Sequence, residues 1–426
     1  MRRFSKTSLI VTVVSVGIAS ISIPTFAKFA RNWAPVPFER IIPNLQKYVS
    51  DHPNDAKGHY TLGRIYSCAF ATNDKNINLV TKDWHDDKPL PLPHFVRDET
   101  AIGMHLTVSG KEKGRAVSLL KKSISEYREA IRLDPKNGLY RLGYAWDLEQ
   151  GANLVPEIGP PPGTKLSIPT SLDWKKAAIV AYRDAYNLAI QSDYTKSDHM
   201  NMGDEFVSGE AADNYISLSG TPKTEQERVV QAMMRATVTE IRKHPNIVTP
   251  IIFPLTSTTR LADLTSNHRL VDFDLSVLGT QNKWQWVNAT AGILVWDPLH
   301  TGRIMNGAQL FGSRTWQMFW KTGYDALAAL DDNNDGWLTG KELKGIAVWC
   351  DRNGNGKSDK GEVVSFASLG VVAISVKSDG MLEGVAGHSG GVKFADGTTH
   401  PSFDWTPTGF PVVTKVSTVE EIGMYE

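Results

Sequence analysis

Two twelve-residue segments decide how the C-terminal half of this chain folds: DDNNDGWLTGKE, residues 331–342 (loop 1), and DRNGNGKSDKGE, residues 351–362 (loop 2). Both begin with Asp, carry Asn or Asp at positions 3 and 5, carry Gly at position 6 and end with Glu at position 12. A glycine at position 6 permits a sharp turn that a side chain would oppose. The same pattern therefore occurs twice in tandem.

The oxygen-bearing side chains of both loops suit a calcium ion. Ca²⁺ takes about six to eight oxygens, and the EF-hand loop supplies them from side chains at alternating positions, from the carbonyl at position 7 and from the glutamate at position 12. An alternative, two Asp/Asn/Gly turns without metal, leaves both glutamates unexplained. We therefore predict two calcium sites, with these ligands: Asp331, Asn333, Asp335, Trp337 (carbonyl), Thr339 and Glu342, then Asp351, Asn353, Asn355, Lys357 (carbonyl), Asp359 and Glu362.

The loops are separated only by residues 343–350, about two helical turns. Because a helix normally flanks each loop of this type, we expect one short helix here, shared by both loops. Loop 2 is the less typical, since Ser358 stands at position 8 where loop 1 has the apolar Leu338. Because the short spacing leaves little room for an opening motion, we expect calcium to act as a stabilising ion. A calcium-triggered sensor is the alternative.

The composition is that of an ordinary folded protein. The chain has 426 residues with 46 basic and 46 acidic side chains, which gives no indication of a nucleic-acid partner. Its two cysteines, Cys68 and Cys350, exclude a disulfide framework and a thiolate zinc site. We expect two buried thiols, and a Cys68–Cys350 disulfide in an oxidising compartment is the alternative.

Residues 1–27 predict an export signal. Arg2, Arg3 and Lys6 precede an uncharged run over residues 7–27, which ends in a cleavage-like Thr-Phe-Ala. An uncleaved anchor is the alternative, because about 20 apolar residues can span a bilayer. After cleavage we expect a secreted or periplasmic protein with no membrane span.

Residues 36–245 predict a helical domain. An apolar stripe with helical spacing runs through Val117, Leu120, Ile124, Tyr127 and Ile131. Further along, Thr224 and Glu227 form the pattern of a capping box before a second stripe at Val230, Met234, Val238 and Ile241.

Part of this helical region resembles tetratricopeptide repeats. The resemblance lies in His59-x-x-Leu62-Gly63-x-x-Tyr66, in Leu139-x-x-Leu142-Gly143-x-x-Trp146 and in Ala178-x-x-x-Tyr182-x-x-Ala185. Inserts at residues 69–110 and 151–172 break the period, so an irregular array is expected, with a generic helical bundle as the alternative. Stacked helix pairs offer a surface for a protein partner.

After Pro245 the pattern changes to short apolar runs between Pro, Thr and Gly clusters, which predict strands. We expect β-rich segments at 246–290 and 367–426, on either side of a calcium-binding module at 291–366. The predicted strands include residues 247–248, 251–253, 270–275, 284–287, 371–376 and 391–394.

The stretch from Gly292 to about Trp405 resembles a C-terminal module of bacterial exported proteins, including RTX-like ones. The resemblance rests on the segment ILVWDPLHTGRIMNGAQLFG, on the two loops and on the segment FADGTTHPSFDW. In that family the first segment is also a calcium-type loop, but here Gln309 stands where Glu is expected and Leu299 replaces a polar ligand. Residues 297–309 are therefore interpreted as a metal-free remnant. The resemblance implies calcium binding and export, and no enzymatic activity.

One alternative is an exported serine hydrolase, because residues 387–391 (GHSGG) fit the G-x-S-x-G pattern with Ser389 as nucleophile. That pattern requires a strand before the serine and a helix after it. The residues that follow predict a strand and a turn instead. The sequence as a whole predicts an α+β protein: an irregular tetratricopeptide-like helical array, then a β-rich module with tandem EF-hand calcium loops and no catalytic residues.

Overall fold

Helices dominate the described chain up to residue 241, and strands dominate it from residue 251 onward. The computed structural model describes residues 34–72, 76–79, 110–154, 174–198, 207–241, 248–256, 260–276 and 282–411. The export signal and most of both inserts predicted above lie outside these residues. The helices are α1 (Phe38–Asp51), α2 (Ala56–Thr72), α3 (Gly110–Leu133), α4 (Gly138–Leu154), α5 (Trp174–Asp198), α6 (Val207–Ser219), α7 (Glu225–Ile241), α8 (Leu261–Leu264) and α9 (Gly323–Ala328).

The predicted helix signals in α3 and α7 are confirmed. In α3, Leu120, Ile124, Tyr127 and Ile131 are buried. At the start of α7 the Glu227 amide donates to Thr224 Oγ1 at 3.2 Å, and Glu227 Oε2 accepts from the Thr224 amide at 3.2 Å. This capping box satisfies amides that would otherwise lack a partner at the helix start.

Tyr127 of α3 explains why two neighbouring helices carry a glycine. A Cβ added at Gly63 in α2 would lie 3.1 Å from the Tyr127 ring, and one added at Gly143 in α4 would lie 2.6 Å from it. The fully buried ring is therefore wedged between α2 and α4. Ala178, Tyr182 and Ala185 of α5 are also fully buried in the same core. Consecutive helices from α2 to α6 therefore pack side by side.

Within the described residues, the named strands pair in antiparallel fashion. The largest sheet has the order β7-β10-β12-β13-β3-β6-β8-β9 with β11 added beside β12, and a second sheet has the order β14-β5-β4. The strands are β1 (Ala34–Pro37), β2 (Asn76–Leu79), β3 (Ile251–Pro254), β4 (Thr265–Asp272), β5 (Asn282–Val287), β6 (Ala291–Trp296), β7 (Trp337–Thr339), β8 (Ile346–Trp349), β9 (Val363–Ser365), β10 (Val371–Ser375), β11 (Gly380–Leu382), β12 (Val385–Phe394), β13 (Thr399–Asp404) and β14 (Gly409–Pro411).

The large sheet must curve. Six strand spacings separate β7 from β8, and at about 4.8 Å each they would put these strands about 29 Å apart in a flat sheet. Residues 340–345 join the two strands and would span about 25 Å even if fully extended. They are not extended, because Gly340–Leu343 forms a 3-10 turn.

The helix predicted for residues 343–350 is wrong. Residues Ile346–Trp349 form β8, which pairs with β6 on one side and β9 on the other. All four residues are buried. A helix would bury one face only, whereas a central strand buries both faces and so accommodates this unbroken apolar run. Loop 1 and loop 2 are therefore not joined by a shared helix.

One hydrophobic core crosses the predicted boundary at residues 245 and 246. It contains Phe38 and Ile41 of α1, Ile65 of α2, Leu338 of β7 and Val348 of β8. A second core fills the helices, and a third lies on the other face of the large sheet. The described residues between 34 and 411 belong to one compact unit. The first two helices are thus packed as part of the β-rich module.

The segment that follows Arg314 holds α2 against the module. Three non-glycine residues in this segment have a left-handed backbone conformation, with φ of 54° at Trp316, 58° at Gln317 and 55° at Phe319. Arg64 of α2 is buried, donates from Nε to the Gln317 carbonyl at 2.7 Å and lies over the Phe319 ring at 4.3 Å. Contacts from α2 therefore hold a backbone conformation that side chains normally disfavour.

Ser389 does not occupy a nucleophile elbow. It lies inside β12, with strand residues on both sides, and its Oγ donates to Asp379 Oδ2 at 2.7 Å. The strand–turn–helix geometry that the G-x-S-x-G pattern requires is not formed here. The hydrolase alternative thus loses the structural context on which it depended.

Both cysteines are buried thiols, as predicted, and the alternative Cys68–Cys350 disulfide is not formed. Burial raises the pKa of the Cys68 thiol and of the Cys350 thiol to about 11, so both stay protonated at neutral pH. Across the described part of the chain, no helix has the length and apolar character needed to cross a membrane.

Candidate metal centre

The two loops lie in different structural surroundings. Loop 1 follows α9, runs into β7 and ends in the 3-10 turn Gly340–Leu343. Loop 2 connects β8 to β9, and the Cys350 amide donates to the Glu362 carbonyl at 2.8 Å across its base. Neither loop stands between two full helices, so the ligand pattern is present without a helix–loop–helix frame.

In loop 1 the first and last carboxylates are held by the amides of the loop itself. Asp331 Oδ2 accepts from the Gly336 amide at 2.9 Å. Glu342 Oε1 accepts from the Asp332 amide at 2.9 Å, and Oε2 accepts from the Thr339 amide at 3.1 Å. Glu342 thereby closes the loop from position 12 onto both its beginning and its end.

The middle residues of loop 1 face one another. Asn333 Nδ2 donates to Asp335 Oδ2 at 3.0 Å, and Asp335 Oδ1 accepts from the Trp337 amide at 2.8 Å. Trp337 lies in β7 opposite Ser375, and Thr339 ends the strand. Gly336 has a φ of 89°, which confirms the need for glycine at position 6.

Loop 2 brings more of its predicted ligands together. Asp359 Oδ2 accepts from Asn353 Nδ2 at 2.7 Å and from Asn355 Nδ2 at 2.9 Å. These hydrogen bonds lower the pKa of Asp359, so its carboxylate is charged at neutral pH. The Lys357 carbonyl accepts from the Asp359 amide at 3.0 Å. Positions 3, 5 and 9 therefore converge on one carboxylate.

The first carboxylate of loop 2 is the most enclosed of the predicted ligands. Asp351 is fully buried and accepts amide hydrogen bonds from Gly354, Asn355 and Gly356. Trp286 of β5 adds its indole N–H to Asp351 Oδ2 at 2.6 Å. At position 12, Glu362 Oε1 accepts from the Arg352 amide at 3.0 Å and Oε2 from the Asp359 amide at 3.1 Å.

Four of the predicted ligand carboxylates are buried and, among the residues that the structure describes, form no ion pair with a lysine or arginine. Asp331, Glu342, Asp351 and Glu362 are between 0 % and 7 % exposed. Among the described residues, no Lys or Arg side chain forms an ion pair with any of them. Buried charges in proteins are normally paired or bound to a metal. Within the same residues no group of three His, Cys, Asp or Glu side chains is already arranged around a common point, because these carboxylates turn toward loop amides.

Residues 297–309 adopt a related closed loop with an amide in place of the final carboxylate. Asp297 accepts from the amides of Thr301 and Gly302 at 2.9 Å and 2.8 Å. Gln309 accepts from the Met305 amide at 2.9 Å, the same position-9 amide that Glu342 and Glu362 hold in their loops. A neutral Gln309 offers one oxygen where the glutamates offer two.

The atypical Ser358 joins loop 2 to this third loop. Its Oγ accepts from the Ile304 amide at 2.8 Å, and Ile304 is position 8 of the 297–309 segment, as Ser358 is of loop 2. Loop 1 instead pairs Leu338, its own position 8, with Ile374 of β10. The polar residue in loop 2 thus has a specific partner, which the sequence alone did not indicate.

The sequence also gave no sign of a contact between α1 and loop 1. Arg40 donates from Nε to Asp332 Oδ1 at 2.9 Å and from Nη2 to the Leu330 and Glu342 carbonyls, the second at 3.1 Å. Asn44, one turn further along α1, donates to the Ala329 carbonyl at 3.1 Å and to Asp332 Oδ1 at 3.0 Å. Arg40 and Trp286 are remote from the loops in sequence, so only tertiary structure shows their role.

Two comparisons with known proteins each match part of the chain. Residues 261–406 match the model of the SPM domain, about a third of the chain. Over 109 residues the chain is 36 % identical to the iron-regulated protein FrpA of Neisseria meningitidis serogroup C. This match covers 24 % of this chain and 10 % of FrpA. The chain thus spans about a tenth of the length of this curated relative, and the likeness concerns one segment of each protein.

Proposed function

We propose that this chain is a non-catalytic calcium-binding protein in which Ca²⁺ stabilises the C-terminal module. The observation that carries the proposal is the set of four buried carboxylates, two in each loop, that form no ion pair with a lysine or arginine of the described residues. A bound divalent ion would supply the missing positive charge. It would also draw the carboxylates of positions 1 and 12 toward the loop centre, where Asn and Asp oxygens already gather.

The donor set fits calcium better than other common ions. All the predicted ligands are oxygens, from carboxylates, amides, one hydroxyl and backbone carbonyls. Oxygen-only sites with a bidentate glutamate suit Ca²⁺, whereas Zn²⁺ prefers nitrogen and sulfur. In loop 1 the ligands would be Asp331, Asn333, Asp335, Thr339 and Glu342 with the Trp337 carbonyl, and loop 2 would use the matching residues.

The surroundings of the loops favour stabilisation over sensing. A calcium sensor of the EF-hand type works by opening a pair of helices. Here loop 2 connects the inner strand β8 to β9 at one edge of the large sheet, and loop 1 leads into β7 at the opposite end of the strand order. Among the described residues no pair of helices flanks either loop, so the sensor alternative has less support.

The helices supply a second part of the proposal, a scaffold for a protein partner. The side-by-side packing of α2 to α6 and the Gly–Tyr–Gly wedge around Tyr127 are typical of tetratricopeptide-like pairs. We also propose export to the periplasm or the cell exterior, on the basis of the sequence of residues 1–27. External calcium is near millimolar, the range to which such extracellular loops are commonly tuned.

Calorimetric titration of the full chain with Ca²⁺ tests the calcium sites. We expect two bound ions for the unaltered chain and one for either Glu342→Gln or Glu362→Gln, because each substitution removes one oxygen of the bidentate pair. Glu225→Gln makes the same chemical change on the exposed surface of α7 and should leave both sites. Two full sites in either loop variant, or no uptake by the unaltered chain, would contradict the proposal.

A further inference from the structure

In each loop an arginine side chain donates a hydrogen bond to a backbone carbonyl near the end of the loop. The arginine comes from the loop itself in loop 2 and from α1 in loop 1. In loop 2, Arg352 at position 2 donates from Nη1 to the Gly361 carbonyl at position 11, at 3.0 Å. In loop 1, position 2 is Asp332, an acid that cannot donate such a bond. Arg40 of α1 takes its place, with hydrogen bonds to Asp332, to the carbonyl of Leu330 before the loop and to the carbonyl of Glu342 at its end.

We infer that Arg40 is a positioning residue for the loop 1 calcium site, and that it makes this site depend on the helical half of the protein. The inference rests on the proposed function. Arg40 contacts the backbone at both ends of the loop, so it fixes the separation of Asp331 and Glu342, whose carboxylates must meet at one ion. The loop 2 site is independent of the helices because Arg352 belongs to the loop itself.

Charge supports the same assignment. Loop 1 carries Asp332 in addition to its three acidic ligands, and a fourth carboxylate could compete for the ion or repel its neighbours. The guanidinium of Arg40 engages both oxygens of Asp332, at 2.9 Å and 3.0 Å, and Asn44 adds a third hydrogen bond at 3.0 Å. Asp332 is thereby held on the α1 side, away from the ligand positions.

Thermodynamic linkage makes the effect reciprocal. If docking of α1 raises the affinity of loop 1 for Ca²⁺, then Ca²⁺ in loop 1 must stabilise the docked α1 by the same factor. Calcium in loop 2 should have no such effect on α1. The helices of the proposed scaffold would then respond to one of the two ions only.

Single-site backgrounds of the full chain separate the two effects. Glu362→Gln leaves only site 1, and Glu342→Gln leaves only site 2. In the first background we expect Arg40→Gln to weaken Ca²⁺ binding roughly five- to tenfold, within the range of ordinary coupling. In the second, Arg40→Gln should leave the affinity unchanged, and Arg352→Gln should reduce it. The site 2 affinity also shows that the Arg40→Gln chain is folded.

A transfer of the loop 2 arrangement into loop 1 gives the sharpest control. Adding Asp332→Arg to Arg40→Gln places an arginine at position 2, within the loop, and should restore most of the site 1 affinity. Hydrogen exchange should then show calcium-dependent protection of α1 in the unaltered chain but not in this restored variant. Unchanged site 1 affinity in Arg40→Gln would overturn the inference while leaving calcium binding intact. Absence of calcium uptake by the unaltered chain would instead overturn the proposed function.

Discussion

Loop 1 and loop 2 have the same ligand pattern but are embedded differently. Loop 1 lies at the boundary between the helices and the module, where Arg40 and Asn44 reach it from α1. Loop 2 lies inside the module, where Trp286 contacts Asp351 and Ser358 contacts Ile304. The comparison teaches that a shared twelve-residue motif fixes the loop but not what the loop is connected to.

The consequence is a division of roles between two similar sites. Loop 2 closes a strand connection, so an ion there should stabilise the β-rich module locally. Loop 1 is next to the core that α1 and α2 share with the module, so an ion there should stabilise the junction. The following predictions test this difference.

Removal of calcium should have the largest effect. Each site held at about 100 times its dissociation constant adds roughly 2.7 kcal/mol to the free energy of unfolding. We expect EGTA to lower the melting temperature, measured by calorimetry and by helical circular dichroism. If the helices and the module were two separate domains, as the sequence suggests, EGTA would leave the melting of the helices unchanged. Because α1 and α2 share a core with the module, we expect them to be destabilised together with it. A helical signal that ignores EGTA would show that the junction is independent of calcium.

Glycine at position 6 should matter more in loop 2 than in loop 1. Gly336 and Gly356 both have positive φ, and alanine there costs about 1 kcal/mol. A Cβ at Gly356 would also lie 2.7 Å from Val271, whereas at Gly336 it would meet only the end of Lys377 at 3.8 Å. Because overpacking adds about 1–3 kcal/mol, Gly356→Ala should lose about 2–4 kcal/mol in urea unfolding. Equal losses in the two variants would count against the tighter packing of loop 2.

The two tryptophans associated with the loops should behave differently. Trp286→Phe removes the indole hydrogen bond to Asp351 but keeps an aromatic ring beside Phe273 and Trp349. We expect a loss of about 1.5 kcal/mol, typical of a hydrogen bond to a charged group, and weaker binding at site 2 alone. Trp337→Phe changes no ligand oxygen and should leave both affinities as they are. Single-site titrations would show the difference, and an equal effect of both variants would contradict it.

Magnesium should produce the smallest change in either loop. Mg²⁺ requires a small octahedral site and retains its waters, so it is a poor match for a loop with a bidentate glutamate. Millimolar Mg²⁺ should leave the melting temperature close to its value in EGTA. Equal stabilisation by Mg²⁺ and Ca²⁺ would show that the loops bind divalent ions without selectivity.

Local signals in the sequence predicted much of this structure. The apolar stripe of α3, the capping box of α7 and the strands at 251–253, 284–287 and 371–376 were all recognisable, because each depends on neighbouring residues. The glycines at position 6 were also predicted with their backbone conformation. Periodicity and turn chemistry are properties of short segments, and short segments are visible in a single sequence.

What the sequence missed depends on distant contacts. Residues 343–350 were predicted as a helix because helices normally flank calcium loops of this type. Pairing with β6 and β9 instead makes Ile346–Trp349 a strand. Arg40 gave no signal because its partner Asp332 is 292 positions away. Ser358 looked atypical in its loop, and only its contact with Ile304 explains it.

The same long-range contacts have a consequence for the order of folding. Arg64 and the strained Gln317 are 253 positions apart, and Lys57 reaches the carbonyl of Phe319 across 262 positions. During synthesis the first two helices therefore appear long before the segment that covers their apolar faces. High contact order slows folding, and uncovered apolar surface favours aggregation. Until residues 314–320 have been synthesised, α1 and α2 expose apolar surface of the kind that chaperones bind.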